Sequence, residues 1–220
     1  MFSSQKHAFW EALLVTILIF GIGVFIGVVL ENWRTSKIDY FYQESEVKLF
    51  DIRAQSEIYA LGGLDCGTAI DENLNFAGRI YEEAKTLERY EGAERLTDTL
   101  KLEHKKYDIL RAILWINSIK IKKQCNASYH NVVYIYDYAE PSIDTKSKQA
   151  VFSRILFELK QKKGSKIVLI PMAGDNNLSS VSILMSRHNV TEQELPVILI
   201  DEKIKIAELQ KVEEIEKLLK

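Results

Sequence analysis

From Ala12 to Leu30 the chain runs nineteen residues in which only Thr16 carries a polar side chain, and few folds accommodate such a stretch. A helix of about 20 apolar residues, rising 1.5 Å per residue, crosses a hydrocarbon core of about 30 Å. Glu11 and Glu31 bracket the run, and Trp10 and Trp33 stand beside them as in an interfacial aromatic belt. A cleaved signal peptide would have a shorter apolar core and a small-residue cleavage site, which Glu31-Asn32-Trp33-Arg34 does not offer. The expectation is therefore an uncleaved single-pass anchor over residues 1–34, placing the protein in the cell membrane. Lys6 before the span and Arg34 and Lys37 after it differ too little to fix orientation. Gly23 and Gly27, with Gly21 nearby, form a G-x-x-x-G pair. Small residues at this spacing let two helices approach closely, so a homodimer contact through the span is an open alternative.

Outside that run the chain has the make-up of a folded protein. Its 220 residues are 47% hydrophobic and 27% charged overall, which argues against disorder. Twenty-nine basic and thirty-one acidic residues leave a net charge of -2, so the electrostatic footprint of a nucleic-acid binder is missing. Two cysteines are too few for a zinc ribbon or a disulfide-rich scaffold.

Residues 35–128 read as a helical region. No proline occurs between Thr35 and Cys125, and glycines fall chiefly where helices would end. A first helix is expected to Leu61, with Ile38, Phe41, Tyr42, Leu49 and Ile52 on its apolar face and Gly62-Gly63 as its stop. It is open whether this helix continues the anchor. A second is expected from near Thr68 to Tyr90, with Leu74, Ala77, Ile80, Tyr81, Ala84 and Leu87 on one face and Glu91-Gly92 as its break. A third, from near Glu94 to Lys122, would turn Leu96, Leu100, Tyr107 and Leu110 inward, then Ile113, Leu114 and Ile121. Helices of this kind pack on one another; the sharper alternative is a groove or stalk that docks a partner.

Cys66 sits where the first helix gives way to the second, and Cys125 at the end of the third. If the second and third helices are antiparallel, those ends meet and the pair staples the open end of a hairpin. The closed loop of about 60 residues would be worth about 4 kcal/mol in the chain-entropy model. Such a bond needs an oxidising compartment, which would put the soluble part outside the cytoplasm. Two unrelated buried thiols are the plainer alternative. A catalytic dithiol is a third, although neither cysteine has the C-x-x-C neighbour that lowers a thiol pKa at a helix N-terminus. Asn-x-Ser/Thr sequons at Asn126, Asn177 and Asn189 lend mild support to an exported domain.

In residues 129–220 the periodicity changes. Asn131 to Tyr136 is a β-branched and aromatic run, Ile167 to Ile170 a short apolar run, and Pro196 to Ile200 another. Asp201-Glu202-Lys203 suits a hairpin turn into a strand from Ile204 to Ile206. Between them lie expected helices from Thr145 to Lys160, with Ala150, Val151, Ile155, Leu156 and Leu159 inward, and from Leu178 to Arg187, capped near Asn177 or Ser179. A closing helix from Lys211 to Leu219 uses Val212, Ile215 and Leu218. The order is β-α-β-α-β-β-α, an α/β class in which a crossover makes the first two strands parallel and a hairpin makes the last two antiparallel.

That order is the order of the thioredoxin fold, and Leu195-Pro196 stands where such domains carry a cis-proline. The whole layout resembles a family of archaeal membrane-anchored thioredoxin-like proteins. Val132 to Tyr136, Lys148-Gln149-Ala150-Val151, Leu195-Pro196-Val197 and the helix from Glu213 to Leu219 carry the resemblance. It implies one anchor, a helical region with two separated cysteines, and a C-terminal thioredoxin-like domain. The departure is decisive for chemistry. The C-x-x-C of active members would fall near Ile143, Asp144, Thr145 and Lys146, and no cysteine follows Cys125. Ser142 or Thr145 in that position cannot exchange a disulfide.

Other chemistry is thin. His7, His104, His130 and His188 have no metal-ligand spacing, so neither a metal nor a cofactor is expected. Gly174-Asp175-Asn176-Asn177 reads as a turn rather than a calcium loop. The charge clusters at Lys101 to Lys106 and Lys160 to Lys166 read as solvated helix ends. Glu140 and Asp144 form a carboxylate pair without a base or nucleophile to serve. The expectation is a non-catalytic, membrane-anchored thioredoxin-like protein that binds an unidentified protein or peptide beside Pro196 outside the cytoplasm. The rival is a thiol–disulfide oxidoreductase using Cys66 and Cys125.

Overall fold

The computed structural model describes residues 2–63, 65–91 and 98–219, without the side chains of residues 2–8, 32–46, 48, 82–91 and 98–100. The expectations for Lys6, His7, Trp33, Arg34 and Lys37, for Ile38, Phe41 and Tyr42, for Ala84 and Leu87, and for Gly92, Leu96 and Leu100 lie outside these described residues. Two compact units divide the chain, Met1–Asp51 and Ile52–Lys220.

Helix α1 runs Phe2–Leu61 without interruption, so the apolar run and the helix after it are one element. Within it Phe9–Glu31 is long and apolar enough to cross a membrane, with a mean hydropathy of 3.0 and no part buried. Thr16 satisfies its hydroxyl inside the helix, donating to Ala12 O at 2.8 Å. Nothing approaches Gly23 or Gly27, whose flanks are open. Gly62 and Gly63, at φ of 79° and 71°, end the helix in the left-handed region that costs glycine nothing.

In the second unit β1 (His130–Tyr136) is an inner strand of a four-stranded mixed sheet, ordered β2-β1-β3-β4. β2 (Ile167–Ala173) pairs parallel to it, and β3 (Val197–Ile200) pairs antiparallel on its other side. β4 (Ile204–Ile206) completes a hairpin with β3. Asp201 and Glu202 form its turn at φ of 48° and 61°, the left-handed pair that a type I′ turn requires. Pro171 lies in β2, an edge strand, where its missing N–H leaves no central ladder position empty.

Two layers of helix cover the sheet. On one face α4 (Ile143–Lys163) and α6 (Val212–Leu218) enclose Val132, Tyr134, Ile198 and Ile200. Phe152, Leu156 and Leu159 are the buried side chains of α4, each worth about 1.5–3 kcal/mol of burial. Leu156 and Leu159 are inward as expected, but the rest of the expected face is corrected: Ala150 and Val151 are exposed and Ile155 is half-buried, because the sheet meets the 152/156/159 stripe. Likewise α6 buries Val212 and Ile215 but exposes Leu218, with Leu219 turned in after the helix.

On the other face α3 (Asp98–Cys125) packs against β1, β2 and α5 (Ser179–Arg187), while its outer side meets α2 (Cys66–Glu91). Pressed between two layers, α3 buries residues nearly all round. The buried face of α2 is Ala69, Asn73, Phe76 and Ile80; of the expected stripe Ile80 is buried as expected, whereas Leu74 and Ala77 are only half-buried and Tyr81 is exposed. Helix α5 starts after Leu178, with no side-chain cap, so neither Asn177 nor Ser179 serves as one. Asn126, Asn177 and Asn189, the three sequon asparagines, are exposed and adopt φ of 48°, 54° and 54°. Asparagine tolerates this left-handed conformation at helix borders, which is a structural reason for the residue at each position.

Candidate functional site

The α2–α3 hairpin closes where expected. Cys66 and Cys125 are bonded, Sγ to Sγ at 2.05 Å, with Cα atoms 5.4 Å apart. Cys125 packs with Ile70 against a small cluster of Tyr59, Ala69 and Ile121. Lys120 Nζ and Gln124 Nε2 tie α3 to Ser56 O and Tyr59 O at 2.9 and 2.8 Å. The bond thus sits among packing contacts.

At the opposite end of α3 lies the region the sequence singled out. Ser142 caps α4, its Oγ accepting from Thr145 N at 3.1 Å, so its hydroxyl serves the helix terminus. Ile143, Asp144, Thr145 and Lys146 are the first turn of α4, with Ile143 exposed. The Leu195–Pro196 bond is cis. Val197 opposes Ile135, so Pro196 comes level with Tyr136 at the end of β1 from which the chain leaves for α4. Gly174, at the end of β2, belongs to the same place. A Cβ there would lie 2.7 Å from Leu195 Cδ1, 2.9 Å from Ile135 Cγ2 and 3.2 Å from Met185 Sδ.

This end of the sheet is acidic. Asp175 accepts from Tyr138 N at 2.8 Å and Ala139 N at 2.6 Å, fixing the chain after β1. Burial, then the hydrogen bond and charge of Asp175, push the Asp137 carboxyl above its ordinary value, and the charge of Glu192 adds to this. The carboxylate pair is therefore Asp137 with Asp175, whereas Glu140 and Asp144 are exposed.

The sequence reading missed the polar stripe of α3. His104, Asp108, Arg111, Trp115, Ser118 and Lys122 recur at helical spacing, and each reaches a partner elsewhere in the unit. Asp108 is fully buried and saturated: its Oδ1 takes Arg111 Nη1 at 3.1 Å and Ala173 N at 3.2 Å, and its Oδ2 takes Asn176 Nδ2. His104 Nδ1 lies 3.0 Å from Asp108 Oδ2, and His104 Nε2 lies 3.1 Å from Tyr136 Oη. Tyr138 stacks on the imidazole with ring centroids 3.7 Å apart. Arg111 also meets the Tyr136 hydroxyl. Burial acts to lower its pKa, but the Tyr136 and Asp108 interactions outweigh it and the guanidinium stays protonated. Further along, Trp115 Nε1 donates to Glu202 Oε1 at 2.8 Å and its ring stacks on His188. Lys122 and His130 both pair with Asp201, which also accepts from Asn131 N at 3.0 Å. The 101–106 segment is accordingly solvated only in part: Lys101 and Leu102 are exposed, whereas Glu103 and His104 are buried and Lys106 pairs with Glu103 at 3.0 Å. Lys160 is half-buried and donates to Gly164 O and Ile167 O at 2.9 and 2.8 Å, so that cluster too is partly turned inward.

Beside this stripe, bounded by α2, α3, α4, β1 and β2, is a cavity of about 470 Å³. Six of its walls are aromatic rings, Tyr81, Tyr107, Tyr134, Tyr136, Tyr138 and Phe157. Its ionic groups are Arg111 and Lys160, with His104 alongside, and among the described residues no carboxylate lines it. Arg111 Nε is buried and has no hydrogen-bond partner among the described residues.

No group of three or more His, Cys, Asp or Glu among the described residues is placed to hold a metal ion. No family model, no curated protein and no solved structure matches the chain.

Proposed function

We propose that this chain is a membrane-anchored, redox-inactive thioredoxin-like protein whose C-terminal part binds a protein or peptide segment outside the cytoplasm. The observation that carries the reading is the separation of the chain's two cysteines from the Pro196 edge. His104 of α3 touches Tyr136, at the Pro196 end of β1, whereas Lys122 of the same helix reaches Asp201 at the other end. Cys125 lies twenty-one residues beyond His104, about 31 Å along a helix rising 1.5 Å per residue. A disulfide so far from the edge does not serve exchange there.

The strand order β2-β1-β3-β4, with parallel β1 and β2 and antiparallel β3 and β4, supports a thioredoxin-like arrangement. The apolar Phe9–Glu31 stretch supports the anchor, and the bonded cysteines support an oxidising compartment. The acidic border at Asp137, Asp175 and Glu192 favours a segment bearing a cation. Exchange through Cys66–Cys125 is the weaker reading, since Cys125 is packed within its cluster.

The test uses the full chain in nanodiscs and an insulin-reduction assay. The expected result is no turnover by the parent protein and measurable turnover by the I143C/K146C variant, which restores C-x-x-C at the start of α4. Turnover by the parent would overturn the redox-inactive reading. A variant that folds but neither forms nor exchanges the new disulfide would overturn the thioredoxin-like one.

A further inference from the structure

We propose that the cavity between α2, α3, α4 and strands β1 and β2 is a binding site for a small aromatic carboxylate. Its volume of about 470 Å³ is that of a small-molecule site, and its make-up, apolar walls with a few convergent polar groups, is the usual one. The charge on its walls has one sign. Arg111 and Lys160 are cationic; Asp108, which pairs with Arg111, is not among the lining residues, and among the described residues no carboxylate faces the cavity.

Arg111 is the anchoring group. It is 6% exposed, and of its five N–H donors one is bound by Asp108 Oδ1 and another meets the Tyr136 hydroxyl. Asp108 has no capacity to spare for it, because Ala173 N, Asn176 Nδ2 and His104 Nδ1 surround its other lone pairs. Arg111 lines the cavity, and its buried Nε has no hydrogen-bond partner among the described residues. A planar carboxylate matches that fork, and hydrogen bonds between two ionised groups are the strong ones. Lys160 commits two of its three donors to Gly164 O and Ile167 O, and burial destabilises its charge, which an anion nearby would favour. The six aromatic rings select the body of the ligand. Rings prefer offset or edge-to-face contact with another ring, beyond the area they bury.

This site reaches the Pro196 end of β1 through Tyr136, but its test is independent of disulfide exchange. Naphthoate, its uncharged isostere naphthamide and octanoate are titrated calorimetrically into the full chain in phosphocholine nanodiscs, with empty nanodiscs as the blank. Naphthoate is expected to bind about tenfold or more tighter than naphthamide, the worth of a charge-assisted hydrogen bond. It should also bind tighter than octanoate. In R111Q the advantage over naphthamide is expected to vanish. Because R111Q leaves Asp108 without its cation, S153W supplies a second variant. It fills the cavity from an exposed position on α4 and is expected to weaken both aromatic probes at least tenfold. Equal binding of naphthoate and naphthamide, or unchanged binding in a folded S153W, would overturn the site. Octanoate matching naphthoate would overturn its aromatic character.

Discussion

Removing the Cys66–Cys125 bond is the most quantitative perturbation this structure offers. The two residues are 59 apart in sequence, so the bond closes a loop of 60 residues. In the chain-entropy account such a loop restricts the unfolded ensemble by about 4 kcal/mol at 25 °C. That is a large share of the roughly 5–15 kcal/mol by which whole domains are stable. The native contacts around the bond should survive: Lys120 and Gln124 still reach Ser56 O and Tyr59 O, and Tyr59, Ala69 and Ile121 still cluster. The double variant C66A/C125A is therefore expected to fold but to melt about 8–16 °C lower, taking about 2–4 °C per kcal/mol for a unit of this size. The assay is thermal unfolding of the full chain in detergent, followed by near-ultraviolet circular dichroism. Trp115, fully buried beside His188, reports tertiary packing in the Ile52–Lys220 unit. Parent protein unfolded in reductant should match the variant. A variant melting within 2 °C of the oxidised parent would refute the reasoning, because it would mean the hairpin ends stay together in the unfolded chain without the bond.

Two carboxylates give pH dependences of opposite sign. Asp201 loses by burial but gains more from Lys122, His130 and Asn131 N, so its pKa lies below the ordinary 3.8. Its contribution is present above about pH 4 and is lost as pH falls through the depressed value. D201N is thus expected to be less stable by about 1–3 kcal/mol at pH 7, with the gap closing in acid, as urea titrations at several pH values would show. Asp137 is raised by burial and then by Asp175, so its ionisation opposes folding as pH rises through its folded pKa. D137N is expected to melt higher than the parent at pH 7 and equal to it near pH 3. G174A would drive a methyl against Leu195 Cδ1 and Ile135 Cγ2, and a loss of about 1–3 kcal/mol is expected in denaturant titration. Deleting residues 9–31 should move the chain from the membrane fraction to the supernatant on ultracentrifugation. A truncated chain that still pellets with washed membranes would count against the span.

Strands and turns were legible because their signals are local. The β-branched run of β1, the Asp201-Glu202 turn and the apolar Phe9–Glu31 stretch each state their conformation without reference to a partner. Helix faces were less so. In α2 Ile80 was read correctly, but Ala69, Asn73 and Phe76 share a period with Leu74, Ala77 and Tyr81, and only the position of α3 selects among them. In α4 the stripe through Phe152 won over the one through Val151 for the same reason. The polar stripe of α3 was the largest omission. His104, Asp108, Arg111 and Ser118 hold a helical period as regular as any apolar face. A search for apolar periodicity passes over them, although four buried polar residues at such spacing are a signal in themselves.

What the sequence determined by itself is therefore what short-range physics decides: which segments become helix or strand, where they turn, and that a nineteen-residue run with a single polar side chain cannot be left in water at no cost. It also decided that no cysteine occurs between Cys125 and Lys220. The tertiary structure alone decided that α3 is enclosed on two sides, because that depends on α2 and the sheet closing over it from segments far apart in the chain. Once enclosed, its charges had to find partners from β1, the β2–α5 turn and the β3–β4 hairpin. Unpaired burial would have cost more than any of these contacts contributes, and that pairing brought Arg111 to the wall of an aromatic cavity.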